Sequence, residues 1–330
     1  MHNLREGDDS IRLRDGALDC TGILQLMFNF RILMRAGAVV VLAVLPVACA
    51  PIYNATCKNT LVTSNVGPIT DPALIEISGI HTGVRNPGVW WVHNDSGDTA
   101  RVFALDGTGA VRGTFAFSGA TATDWEDIAI VPGTAAGTGT MYLGDIGDNA
   151  ANRTEIQVYR VAEPDVPRTG SPASTTLTGV DTLHLTYPDG AHDAEALMVD
   201  PIFGDLVIIA KSLGGGTVNV YRAPANLAAG STTALTNVGT LTLGAGLVNA
   251  VTAADVTRDG SAIAVRTYGK VMVFNRNVTK SLWTALASTA CNAPLPSEIQ
   301  GEAVGFRDDG KALATVSEGA GQTLHLSTIP

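Results

Sequence analysis

The chain has 330 residues, 45% hydrophobic and 16% charged, enough to bury one large core or two ordinary ones, which excludes disorder over most of its length. With 36 glycines, 15 prolines and only 5% aromatics, the composition favours short strands and tight turns and speaks against a helical bundle. The net charge of −10, from 31 acids against 21 bases with no run of Lys or Arg, argues against a nucleic-acid partner and suits cations or neutral ligands.

At the N-terminus, Ala36 to Ala50 is an apolar run preceded by Arg31 and Arg35, the layout of an export signal. It falls short of the roughly 20 residues that a spanning helix needs, and no second such run follows. Residues 1–50 are therefore set apart as an N-terminal extension and export signal, with Met27 and Met34 as alternative starts. Leu45 to Cys49 resembles a bacterial lipobox, with Pro46 where Leu is expected; a lipid anchor on Cys49 and free secretion after cleavage at Ala50 both stay open. Without the leader, Cys57 and Cys291 remain in a chain bound for an oxidising space. A disulfide between them is the natural reading, adding about 4 to 5 kcal/mol in the chain-entropy account, and two buried thiols are the alternative.

Next along the chain comes a unit of roughly fifty residues in five copies, the period of propeller blades. Its first strand starts at Ser78, Glu126, Glu195, Thr252 and Glu302, and its second is more continuously apolar, as at Leu206 to Ala210 and Ala262 to Arg266. A third strand carries Phe103, Tyr159, Tyr221 or Phe274, and a fourth is expected at 114–117, 182–187, 240–243 and Leu282 to Leu286. The last copy runs out of chain before its fourth strand. The segment 51–73 supplies a closing strand around Leu61 to Val66, near the Cys57 to Cys291 staple, and 74–330 forms the propeller. The expected fold is thus all-β, a propeller of five four-stranded blades closed by pairing of its N- and C-terminal strands; the Pro-rich insert at 163–174 leaves room for a sixth.

Several short motifs carry a resemblance: Ser78-Gly79-Ile80, His93-Asn94-Asp95-Ser96-Gly97, Asp124-Trp125-Glu126-Asp127-Ile128-Ala129, Gly144-Asp145-Ile146-Gly147-Asp148-Asn149, Asp193-Ala194-Glu195-Ala196-Leu197 and Gly301-Glu302-Ala303-Val304. Together, over most of 74–330, they are similar to exported bacterial β-propeller proteins loosely related to phytase-like and esterase-like propellers. The resemblance implies the fold more than the activity, because propellers host many unrelated functions.

First strands of blades line the central channel, so Ser78, Glu126, Glu195, Thr252 and Glu302 are expected to form a ring of oxygen ligands. Three carboxylates in a narrow channel raise one another's pKa, a conflict that Ca²⁺ relieves; a hydrated ring paired with nearby bases is the alternative. Ends of second strands add His93, Asn94, Asp95, Asp145, Asp148, Lys211, Arg266 and Glu318, and Asp127 follows Glu126. Lys211 and Arg266 either hold an anionic ligand or pair with the acids as a structural network. Asp145 to Asn149 has carboxylates spaced as in calcium loops but lacks the later acidic ligand. His81 and His93 are placed near the channel mouth. Asp255, three places from the ring position, is assigned to the opposite side of its strand.

These residues lead to an exported, monomeric binding propeller for a small-molecule or protein ligand, with a divalent cation at one mouth and membrane contact only through a lipid anchor. The alternative is a metal-dependent phosphoesterase or esterase using the same acids, with Lys211, Arg266 and His93 holding the anion and a metal-activated water as nucleophile.

Overall fold

The computed structural model describes residues 50–330. The alternative starts Met27 and Met34, the export signal up to its last residue and the lipid-anchor candidate Cys49 lie outside the described residues.

Five small sheets, mostly antiparallel and four-stranded, form the blades of a five-bladed β-propeller. Their innermost strands are Ile77–Thr82, Trp125–Pro132, Ala194–Val199, Val251–Val256 and Gly301–Phe306. Second strands such as Trp90–Asn94, Leu206–Ala210 and Ala262–Thr267 are buried at every residue, which explains why their sequences do not alternate. The core lies between blades: Met198, Ile209 and Val220 of the third interleave with Val256, Ile263 and Phe274 of the fourth.

The segment Val62–Pro68 pairs antiparallel with Thr323–Thr328 and completes the fifth blade, so the two ends of the described chain share one sheet. Beside this closure, the disulfide Cys57–Cys291, with Cα atoms 5.0 Å apart, ties the helix Pro51–Cys57 to the outer strand of the fourth blade.

The expected count of five blades holds, with no sixth among the described residues; the insert after Glu163 ends in the strand Ala173–Leu177, which adds in parallel to the outer edge of the first blade. The Glu163 carboxylate fixes this crossing by accepting the Val84 and Arg85 amides and Trp91 Nε1. The segment Leu282 to Leu286 is not a strand but part of a 3₁₀ helix, Leu282–Ala287. Leu282, Ala285 and Leu286 are its buried residues, a spacing of three and four that suits a helix and not a pleat. The fourth blade takes Cys291–Ala293 as its outer strand instead.

The double variant Cys57→Ser/Cys291→Ser is expected to lose about 5 kcal/mol of stability, the scale of closing a loop of this length in the unfolded chain. Urea unfolding of the two proteins measures this; an unchanged midpoint would mean that strand pairing alone holds the closure.

Candidate functional site

Each innermost strand carries a β-bulge at its entry, and each falls on the same residue of the repeat. The pairing skips Ser78, Glu126, Glu195, Thr252 and Glu302. A bulge leaves its extra residue out of the ladder and re-aims its side chain, so these five positions are set apart from the apolar pleat that follows. Antiparallel pairing of Ile77 with Asn94, Trp125 with Asp145, Ala194 with Ala210, Val251 with Thr267 and Gly301 with Ser317 brings the ends of the second strands to the same mouth.

At this mouth the carboxylates of Asp95, Asp124 and Glu126 present oxygens within 4.8 Å of one another, and those of Glu126, Asp193 and Glu195 do the same. Glu126 belongs to both groups. Burial raises the Glu126 carboxyl well above its ordinary value, and Glu195, Asp95 and Asp124 add to the rise. Asp124 is pushed up to about 6 by burial and by the charges of Asp95 and Asp193. Glu302 is pushed up to about 7, chiefly by burial. Gly147 packs its backbone against this cluster: a Cβ there would stand 2.1 Å from Glu126 Oε1 and 2.5 Å from Asp124 Oδ2.

Of the bases, Lys211 bonds to Glu195 and lies 5.4 Å from the Tyr268 ring centre. Burial would lower the Lys211 ammonium, but Glu195 outweighs it and holds the group charged; burial in turn lifts Glu195 to about 8 against the pull of Lys211. Arg266, fully buried, pairs with Glu298 and donates to the Ala303 carbonyl at 2.9 Å, lying where a Cβ on Gly301 would stand.

The other expected residues divide by their hydrogen bonds. Ser78 Oγ donates to the Glu126 carbonyl at 2.7 Å, and Thr252 Oγ1 donates to the Gly301 and Glu302 carbonyls, so both hydroxyls link neighbouring inner strands. Asn94 pins the preceding loop through Ala73 O and the Glu76 amide. His93 donates from Nδ1 to its neighbour's carbonyl, and burial drops its pKa to about 4, so the ring is neutral. Asp145 accepts the Thr123 and Asp124 amides and Arg153, and Asp148 accepts the Arg153 amide. Both aspartates of the calcium-like loop therefore hold backbone and Arg153. Glu302 and Glu318 lie on the far side of the mouth, joined through the Gln300 carboxamide.

Deeper in the channel Asp127 accepts three amides, its own neighbour Ile128 at 2.9 Å, Leu197 at 2.9 Å and Ala254 at 3.1 Å, tying three blades together. Asp255 is a correction: far from facing away, it accepts the Phe306 amide of the fifth blade and meets His81 Nε2 at 3.3 Å. His81 is corrected with it, since it lies at the far end of the first inner strand, towards the opposite mouth, in a small cavity it lines with Asp255 and Arg258.

Asp124 and Asp193 were not singled out as ligands from the sequence. The signal was present as Asp-x-Glu at 124–126 and again at 193–195, a pairing the other three copies lack.

Fold and mouth together define the class: a five-bladed β-propeller with an acidic channel entrance. No protein-family model and no curated protein sequence matches the chain. Among solved structures, a chain titled Kuenenia stuttgartiensis hydrazine synthase is similar, with 14% identity, a TM-score of 0.43, and coverage of 77% of this chain and 96% of that one.

The pH response follows from Glu302. Its folded pKa lies above the unfolded value, so its favourable contribution is complete below about pH 4 and is lost as pH rises through about 7. In chelator, the chain should lose about 2 to 3 kcal/mol relative to a Glu302→Gln variant between about pH 4 and about pH 8. Parallel urea titrations read the difference, and a gap independent of pH would refute the raised carboxyl.

Proposed function

We propose that this protein is an exported binding propeller whose channel mouth holds a divalent cation, Ca²⁺, between blades one, two and three. The observation that carries this reading is the pair of carboxylate groups sharing Glu126, five acids drawn together with Lys211, among the described residues, as the single base bonded to any of their side chains. Like charges this close and this buried repel unless protonated or bridged, and a bound divalent ion removes the repulsion.

The donor set fits a hard ion. All five groups offer carboxylate oxygen, which selects Ca²⁺ or Mg²⁺ over softer metals, and an irregular cluster suits the adaptable coordination of Ca²⁺. Gly147 supports the same reading, because its missing side chain leaves the Glu126 and Asp124 oxygens clear. The Cys57–Cys291 disulfide supports an oxidising, exported location. Binding is favoured over hydrolysis because Lys211 and Arg266, the residues expected to hold a substrate anion, are already spent on Glu195 and Glu298.

Thermal melting of the metal-stripped chain, with and without Ca²⁺ and with metal analysis of the same sample, is the test. Ca²⁺ at about 100 times its Kd should stabilise by about 2.7 kcal/mol. Glu126→Gln should abolish that gain while stabilising the chelated protein, since a neutral carboxamide relieves both carboxylate groups at once. Absence of a shift with Ca²⁺ or Mg²⁺, together with no bound metal, overturns the reading.

A further inference from the structure

At the end of the channel away from the acids, two blades that are not neighbours touch. The inner strands follow one another round the axis in chain order, so the fifth blade stands between the fourth and the first. Yet His81 Nε2 of the first blade meets Asp255 Oδ1 of the fourth at 3.3 Å, and Arg258 of the fourth donates to the Gly83 carbonyl, just past the first inner strand, at 2.9 Å. Both contacts reach past the intervening blade. His81 and Asp255 are buried where they meet, at 8% and 4% exposed.

The hydrogen bonds of the imidazole fix its proton count. Nδ1 lies 2.7 Å from the Thr82 carbonyl, which only accepts, so Nδ1 carries a hydrogen. A neutral ring would then turn a bare lone pair at Nε2 towards a carboxylate oxygen. Asp255 is not the holder of the missing proton, because backbone amides donate to both of its oxygens, Val256 to Oδ1 at 2.7 Å and Phe306 to Oδ2 at 2.6 Å, which favours the anion. A second hydrogen on His81 turns two facing acceptors into a charge-assisted contact. Burial by itself would lower the pKa of the ring, but the charge and bond of Asp255, with the Thr82 carbonyl, outweigh it and raise the pKa above its ordinary value.

The other charged groups around the cavity do not replace Asp255 as the partner. Arg258 opposes the proton, Arg307 pairs with Asp309, and Asp308 completes the set, while blades two and three line the cavity without a charged side chain among the described residues. On the outer side of the first blade Arg85 is paired with Asp165, and Glu163 with backbone amides.

We propose that protonated His81 is a pH-sensitive bolt that joins Thr82 to Asp255 between blades one and four and closes this end of the channel, and that loss of its proton in alkaline solution releases the closure. While the ring is charged, the channel is a pit entered from the acidic mouth. The inference is independent of the cation, which is placed at the other end.

Nitrogen NMR of the full chain carrying isotope-labelled histidine, with His81→Gln to assign the signals, reads the ring directly. Its titration midpoint should lie above that of an unperturbed histidine, about 6.5, and Asp255→Asn should weaken proton binding at His81 by about tenfold or more, the scale of removing an opposite charge in contact. Closure is read by hydrogen exchange: relative to its intrinsic rate, the Phe306 amide should exchange about tenfold or more faster above the midpoint than below it, the mark of a local opening. A midpoint at or below the unperturbed value, or one unmoved in Asp255→Asn, overturns the charged pair; if Asp255→Asn does not fold, the midpoint of the parent decides alone. Equal protection of the Phe306 amide on both sides of the midpoint overturns the bolt.

Discussion

Five inner strands converging on one axis have no neighbour on their channel side, so each presents unpaired backbone groups to a narrow, largely dry space. Everything near the axis answers that constraint. Ser78 and Thr252 give hydroxyl protons to carbonyls of the next blade, while Asp127 and Asp255 accept amides from other blades. These four side chains act as the rungs that a sixth strand pair would otherwise provide. Burial raises the Asp127 carboxyl well above its ordinary value even though three amides pull it down.

The acids at the entrance stand in contrast. Among the described residues neither Asp124 nor Glu126 accepts a backbone amide through its carboxylate, although both sit within a few residues of Asp127, which accepts three. At Glu126 the bulge takes the side chain out of the ladder and towards Asp124, which precedes the strand. The same irregularity at Ser78 and Thr252 presents short hydroxyls that bond to neighbouring inner strands instead. The residue type at the bulge thus decides whether a blade contributes a rung or an unmet charge.

That repetition is why so much was legible beforehand. Aligning the copies placed Ser78, Glu126, Glu195, Thr252 and Glu302 at one position, and all five are the residues the bulges single out. The closing strand was legible for a related reason, since a last blade one strand short has to borrow from the other chain end. Asp255 was misread because alternation was counted straight through the bulge at Thr252. The extra residue shifts the parity, so Thr252 and Asp255 both reach the inner strand of the fifth blade. The 282–286 segment failed differently: the repeat called for a strand, and the local three-and-four spacing of Leu282, Ala285 and Leu286 prevailed. No sequence pattern reveals that Arg266 lies against the missing Cβ of Gly301 and pairs with Glu298, because that contact exists only once two blades are packed.

The entrance is also lopsided. Carboxylates of blades one to three come within coordination distance of one another, whereas Glu302 and Glu318 meet through the Gln300 carboxamide. Lys211, bonded to Glu195, also lowers the pKa of Glu302. The two groups still act on each other, since on top of burial the charge of Glu302 raises Glu195 and that of Glu318 raises Asp95. Neutralising either one therefore eases the repulsion at the other.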